Sequence, residues 1–354
     1  MTDSTETQRQ LIVKSIAFFN NKGGVGKTTL SCNIASHFSK ALRKRVLLVD
    51  CDPQCNASQL VLCQDRCQEI YQCEDVTKGN TLLSVMQPIS EGDSSISSNI
   101  LPELSSTNRF EVDLIPGHPG MSVLEDKLST AWNELRGRQA GGFRVTNWFP
   151  QLLKQVESRY DVVVVDLGPS LGSLTRSVML GAQYFVTPMG CDIFSIVGIK
   201  NIGQWLSRWI EDYERYLDDF RRDNQEVINR HSIQEDIPIK NGFVGYTVLQ
   251  YITKSRGGER RATGAFEEIL SQIPETVERS LGSFFKDGLR GEDTHLGDIP
   301  NLFSLVPLAQ SAHSPIIGLD YQDGLAGGQV KQQEVYAAFI ESVGNRLAAN
   351  MGVE

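Results

Sequence analysis

Phe18–Leu30 reads FFNNKGGVGKTTL, and the position of this stretch decides the fold. The apolar run Ile16–Phe19 has the composition of a buried strand, and Thr28–Phe38 that of the helix that follows. Between them, Gly23, Gly24 and Gly26 admit backbone conformations that strain other residues. The N–H groups from Gly23 through Val25 to Thr29 therefore turn toward one point at the helix N-terminus. Aligned N–H groups and the helix dipole make that point an anion site. Lys27 adds a positive charge beside the phosphates, and the Thr28 hydroxyl is placed to ligate Mg²⁺.

Two more segments end strands in acids. Val46–Ser58, VLLVDCDPQCNAS, is a buried-strand run that delivers Asp50 and Asp52 to a turn at Pro53; Tyr160–Thr175, YDVVVVDLGPSLGSLT, is four valines and then Asp166. Strand and helix alternate from the first strand onward, which predicts an α/β fold: a mostly parallel twisted sheet with helices on both faces. Open parallel sheets bind ligands beyond the carboxyl ends of their strands, so Asp50, Asp52 and Asp166 should converge on the loop that begins at Asn21. Alone, each such Asp reads more readily as the N-cap of the next helix than as a catalytic group, and three together beside the loop reverse that reading. Three carboxylates would repel a polyphosphate, whereas a divalent cation removes the conflict. Oxygen ligands plus phosphates suit Mg²⁺.

The glycine loop departs from the pattern G-x-x-x-x-G-K-[ST], because Asn21 stands where its first glycine belongs and Lys22 follows it. K-G-G-V-G-K-T-T, with a second lysine at its start, resembles the deviant Walker A motif of the ParA/MinD family of P-loop ATPases. Val46–Ser58 resembles that family's D-x-D-P-Q-G-N-A-S/T motif, with Cys55 in place of the glycine. Tyr160–Thr175 is similar to its Walker B element and switch II. Pro188, Asp192, Phe194, Ser195 and Gly198 match its P-x-x-x-D-x-F-S-x-x-G segment.

The resemblance implies a Mg²⁺-dependent ATPase. Lys27 and the Gly23–Thr29 backbone would hold the phosphates, Thr28 would bind Mg²⁺ directly, Asp166 would bind it through water, and Asp50 would support the metal shell. Asp52 would orient the attacking water, and Lys22 would reach a partner subunit's nucleotide, so that catalysis needs a homodimer bridged by ATP. In relatives the ends of the last two core strands wrap the adenine. Gly242–Tyr251 and Asn301–Ala312, the latter read as strand then loop, make Gln250 and Pro307 the candidates here. The implied role is a ParA-like switch for DNA partition or cargo positioning, with weak hydrolysis stimulated by an adaptor. A regulatory ATPase beside a defence or toxin effector, and an electron-transfer ATPase of the nitrogenase-iron-protein type, share the loop and remain the alternatives.

Composition bounds the rest. The 354 residues suffice for one large domain from Leu11 to the C-terminus, after a polar tail over Met1–Gln10. Polar or charge-mixed insertions are expected over Gln64–Asn80, Ser90–Asn108 and Glu211–Asp236, the third reading either as a solvated helix with i,i+4 ion pairs or as a partner-docking helix. The tail has neither a basic n-region nor an apolar h-region, and no run of about 18 apolar residues occurs, so a cytoplasmic protein without membrane contact is expected. Five of the seven cysteines fall between Cys51 and Cys73 without a C-x-x-C pair, the pattern of reduced thiols rather than of a zinc or cluster site. The five histidines are scattered singly, and G-x-S-x-G is absent. A net charge of −9 excludes a surface coated for nucleic acid. One local exception is TKSRGGERRATG, Thr253–Gly264, where Lys254, Arg256, Arg260 and Arg261 form either a solvated loop or a site for non-specific DNA contact and nucleoid association. The C-terminal helix carries too little basic charge to grip a membrane.

Overall fold

Successive side chains of the central strands point to opposite faces of the sheet, and both faces are apolar. Ala17, Leu47, Val49, Val163 and Val165 enter one core, while Ile16, Phe18, Leu48, Val162 and Val164 enter the other, all of them fully buried. Strands buried on both sides are the signature of a parallel sheet covered by helices. The computed structural model describes residues 13–353 except 74, 77–78, 250–253, 257–258, 262–263 and 303, with the backbone alone described at 254–256, 259–261 and 264–266.

The sheet comprises β1 (Lys14–Phe18), β2 (Val46–Asp50), β3 (Asp113–Ile115), β4 (Val162–Asp166), β5 (Tyr184–Met189), β6 (Phe243–Leu249) and β9 (His295–Ile299). Its order is β3-β2-β4-β1-β5-β6-β9, and every pairing is parallel. A separate hairpin joins β7 (Lys254–Arg256) to β8 (Glu259–Arg261). On one face lie α1 (Lys27–Lys40), α2 (Asn56–Val61), α3 (Gln64–Tyr71), α12 (Leu305–Ala312) and α13 (Gly328–Met351). The other face carries α4 (Leu82–Glu91), α5 (Met121–Arg136), α6 (Ala140–Thr146), α7 (Trp148–Val156), α8 (Ser173–Gly181), α9 (Ile193–His231) and α10 (Gly264–Leu281), and the short α11 (Gly291–Thr294) leads into β9.

One reading of the chain is corrected. Asn301–Ala312 is not a strand and loop: the last strand lies earlier, at His295–Ile299, and Leu305–Ala312 is helical. The run LVPLA has spacings that suit either element. Leu305 and Ala309, four apart, are the positions that bury, and Pro307 sits in the first turn, where no N–H is required of it. The residues of Glu211–Asp236 continue α9 as far as His231, with a kink at Asn224. One side of this extension is solvated and carries Arg215–Asp212 and Arg221–Asp218 ion pairs at i,i+3 spacing beside an Arg208–Asp212 pair at i,i+4. The opposite side buries Tyr213, Leu217 and Phe220 against the α5–α6 core. Among the described residues no helix is long and apolar enough to cross a membrane.

Candidate functional site

The register of the sheet places the acids. Asp50 at the end of β2 pairs with Asp166 at the end of β4, which in turn pairs with Phe18 at the end of β1, so the loop after β1 opens beside both carboxylates. Gly24 and Gly26 take the left-handed conformation, at φ 73° and 81°, and Gly26 is the N-cap from which α1 starts. Lys27 opens the helix with its side chain folded back. Its Nζ donates to the Lys22 carbonyl at 3.1 Å, and burial lowers its pKa while Asp166 and Asp52 oppose that shift. The Thr28 hydroxyl donates to Asp166 Oδ2 and the Ser31 hydroxyl to Oδ1, each at 2.8 Å.

Asp50 is enclosed. One oxygen accepts from the backbone N–H and the hydroxyl of Ser58, at 2.8 and 2.6 Å, and the other accepts from the Asp52 N–H at 3.1 Å. Asp52 accepts from the Gln54 N–H at 3.0 Å. Cys55, at the position of the family's glycine, keeps a left-handed backbone at φ 57° and serves as the N-cap of α2, so the turn is retained despite the β-carbon. Its thiol is buried, and burial pushes it up to about 12, the behaviour of an inert thiol. The described residues include all seven cysteines, and none forms a disulfide.

Burial, reinforced by Asp166, pushes the Asp50 carboxyl up to about 7; burial likewise pushes Asp166 to about 6, against the Thr28 and Ser31 hydroxyls and Lys27. Two buried acids facing one lysine form an all-oxygen donor set short of positive charge, which fits Mg²⁺ bound by Thr28 with Asp166 and Asp50 behind it. The sign of the linkage follows. A carboxyl raised in the folded state holds a proton that the unfolded chain gives up near 3.8, so its contribution is fully present below that value and lost as pH climbs to about 7. In metal-free, nucleotide-free protein the thermal midpoint of the wild type should therefore fall more steeply between about pH 4 and pH 7 than that of Asp50→Asn. Equal slopes in a calorimetric pH series would contradict the assignment.

Lys22 forms an ion pair with Asp192 of its own chain, and both side chains are about one third exposed, at 31% and 36%. Asp192 is also the N-cap of α9, accepting from the Ser195 N–H at 3.1 Å. Asn20 ties the loop to the sheet, donating to the Pro188 carbonyl at 2.7 Å and accepting from the Lys22 N–H at 2.9 Å. The first turn of α9 leaves Ile193, Phe194 and Val197 exposed beside this pair.

A cavity of about 380 Å³ adjoins the loop, lined by Gly24, Gly26, Thr29 and Leu30 on one side and by Leu249, Ile299, Asn301, Leu302, Val306 and Tyr336 on the other. The ends of β6 and β9 thus do border a pocket beside the phosphate cradle. Gln250 lies outside the described residues. Pro307 is exposed on α12, next to the lining Val306 but not itself in the lining. Sequence reasoning missed Ser31, Ser58 and Tyr336. Ser58 closes the quoted N-A-S triplet and so was within reach; Tyr336 lies on a C-terminal helix with no local signal.

The four basic candidates Lys254, Arg256, Arg260 and Arg261 fall on the β7–β8 hairpin, where the register sets Lys254 opposite Arg261 and Arg256 opposite Glu259.

Comparison with known proteins agrees with this geometry. The profile of the AAA domain family matches residues 13–218. A virulence plasmid ParA family protein of Chlamydia psittaci is 31% identical over 195 residues, 55% of this chain and 64% of the relative. The chromosome partitioning protein ParA of Myxococcus xanthus is 31% identical over 190 residues, 53% of this chain and 56% of the relative. The matches therefore span only between half and two thirds of these relatives' lengths. A crystal structure of a Corynebacterium diphtheriae protein superposes with a TM-score of 0.73 at 33% identity, covering 96% of this chain and 98% of that one. The deviant glycine loop, the strand-end acids in register and these likenesses together establish that the chain belongs to the ParA/MinD-type family of P-loop ATPases.

Proposed function

We propose that the chain is a Mg²⁺-dependent ATPase in which ATP closes a homodimer and hydrolysis reopens it. The observation that carries this reading is the arrangement of two lysines in one loop. Lys27 is buried against its own carboxylates, while Lys22 is about one third exposed in an ion pair at the rim. Lys27 and the Gly23–Thr29 backbone hold the phosphates, and the 380 Å³ cavity takes the base. Thr28, with Asp166 and Asp50 behind it, would hold Mg²⁺, which would supply charge neutralisation to the phosphates. Asp52 orients the water that attacks the γ-phosphorus, giving ADP and phosphate. Lys22 must leave Asp192 to reach a partner's nucleotide, which leaves the isolated subunit a weak enzyme and gives an adaptor protein something to stimulate.

The cargo surface is assigned to the β7–β8 hairpin. Like charges directly opposite on a two-stranded ribbon destabilise it unless an anion intervenes, and Lys254 faces Arg261 across this one. One such hairpin on a chain of net charge −9 makes few phosphate contacts, and an ATP-closed dimer doubles them. The protein would thus be cytoplasmic and nucleoid-associated in its ATP state. Gel shifts of random-sequence duplex with Asp52→Ala protein should show binding with ATP, none with ADP, and steep loss with salt. Binding that survives replacement of all four basic residues would remove the hairpin from this role. The reading as a whole is tested by phosphate release: wild-type protein with Mg·ATP should turn over, and Lys22→Ala should not.

A further inference from the structure

We propose that Glu125 is a positioning residue for hydrolysis, fixing the loop between Asp166 and α8 against Asp52; this rests on the ATPase reading above. The N-cap of α8 is Gly172, which has no side chain with which to cap the helix. The acceptor comes instead from another element. Glu125 on α5 receives the Ser173 N–H on one carboxylate oxygen and the Leu174 N–H, at 3.2 Å, on the other. A β-carbon on Gly172 would overlap that carboxylate, so the glycine is what lets Glu125 reach the helix end. At the far end of the same short loop, a β-carbon on Gly168 would lie 3.0 Å from Asp52 Oδ1. The loop is therefore pinned at one end by Glu125 and lies directly against the Asp52 carboxylate at the other. A shift of α8 along its axis would change the space in which Asp52 works.

The same helix pair meets a second time. Arg176, one turn into α8, places its guanidinium 4.9 Å from the ring centroid of Trp132 on α5 and 5.4 Å from that of Trp209 on α9. Its Nε is buried with no hydrogen-bond partner among the described residues. The stack thus depends on where α8 sits rather than on directional bonds. Trp132 lies two turns beyond Glu125 on α5, so α5 grips α8 at both points and the indoles report its position.

The full chain carries the test. Glu125→Ala removes both acceptor oxygens, whereas Glu125→Gln keeps one and the side-chain shape. Affinity for Mg·ADP and Mg·ATP should stay within about twofold of wild type in both, while single-turnover hydrolysis falls roughly tenfold in Glu125→Ala and less in Glu125→Gln. Wild-type tryptophan emission should differ between the Mg·ADP and Mg·ATP states, and the difference should vanish in Glu125→Ala and shrink in Trp132→Phe. A mere stabilising cap would lower the thermal midpoint and leave the rate and the emission difference of the folded fraction unchanged. Hydrolysis at the wild-type rate in Glu125→Ala, a parallel loss of affinity and rate in both variants, or an emission difference untouched by both Glu125→Ala and Trp132→Phe overturns the proposal. A wild-type chain that does not hydrolyse ATP overturns the reading beneath it, and that control is read before any variant.

Discussion

Lys27→Ala is expected to abolish detectable Mg·ATP binding. The side chain is 7% exposed and is the cation set among Asp52, Asp166 and the loop carbonyl of Lys22. Without it the carboxylates would face the phosphates with nothing fixed between them, and removing one partner of a buried charged set costs about 3–5 kcal/mol, or roughly a thousandfold in affinity. The fold should survive, because α1 is held by Leu30, Ile34 and Phe38 in the core rather than by this lysine. Calorimetric titration checks it, and wild-type affinity in the variant would break the phosphate assignment.

The second large effect separates chemistry from closure. Asp52→Ala should retain ATP yet lose roughly a hundredfold to a thousandfold in turnover, the cost of removing one positioned polar group at the reacting centre. Lys22→Ala should lose turnover by a similar factor for another reason, since it removes the charge that reaches a partner's nucleotide. Asp192→Asn, which frees Lys22 from its ion pair without touching the phosphate cradle, should instead raise turnover at low protein concentration. Rates measured against protein concentration distinguish the three: a turnover per subunit that is independent of concentration in the wild type would exclude a two-subunit site.

What could be read in the chain was what short-range chemistry writes. The cradle at Gly23–Thr29, the paired acids Asp50 and Asp52 and the valine strand ending at Asp166 each combine an apolar run with a turn, and the sheet register brings them together. The P-x-x-x-D-x-F-S segment was legible as a pattern. That its Asp192 would hold Lys22 was not, because 170 residues separate them and only the β1–β5 pairing makes them neighbours. The reading failed where local signals conflict. His295–Ile299 has a histidine, a glycine and an aspartate in five positions and looks unlike a strand, yet it pairs with β6 along the sheet edge and buries only Leu296 and Ile299. Glu211–Asp236 looked solvated because its charges are dense, while its apolar residues Tyr213, Leu217 and Phe220 are spaced for one buried face. Glu125 gave no signal at all, since its partners are backbone N–H groups on a distant helix.

The central claim is that nucleotide state sets subunit association. Light scattering of Asp52→Ala protein tests it most directly, with Mg·ATP in one sample and Mg·ADP in the other. Twice the subunit mass is expected with ATP, the single-subunit mass with ADP, and the single-subunit mass with either nucleotide once Lys22→Ala is added. A single-subunit mass in the presence of ATP, in protein shown by titration to have bound it, would contradict the account.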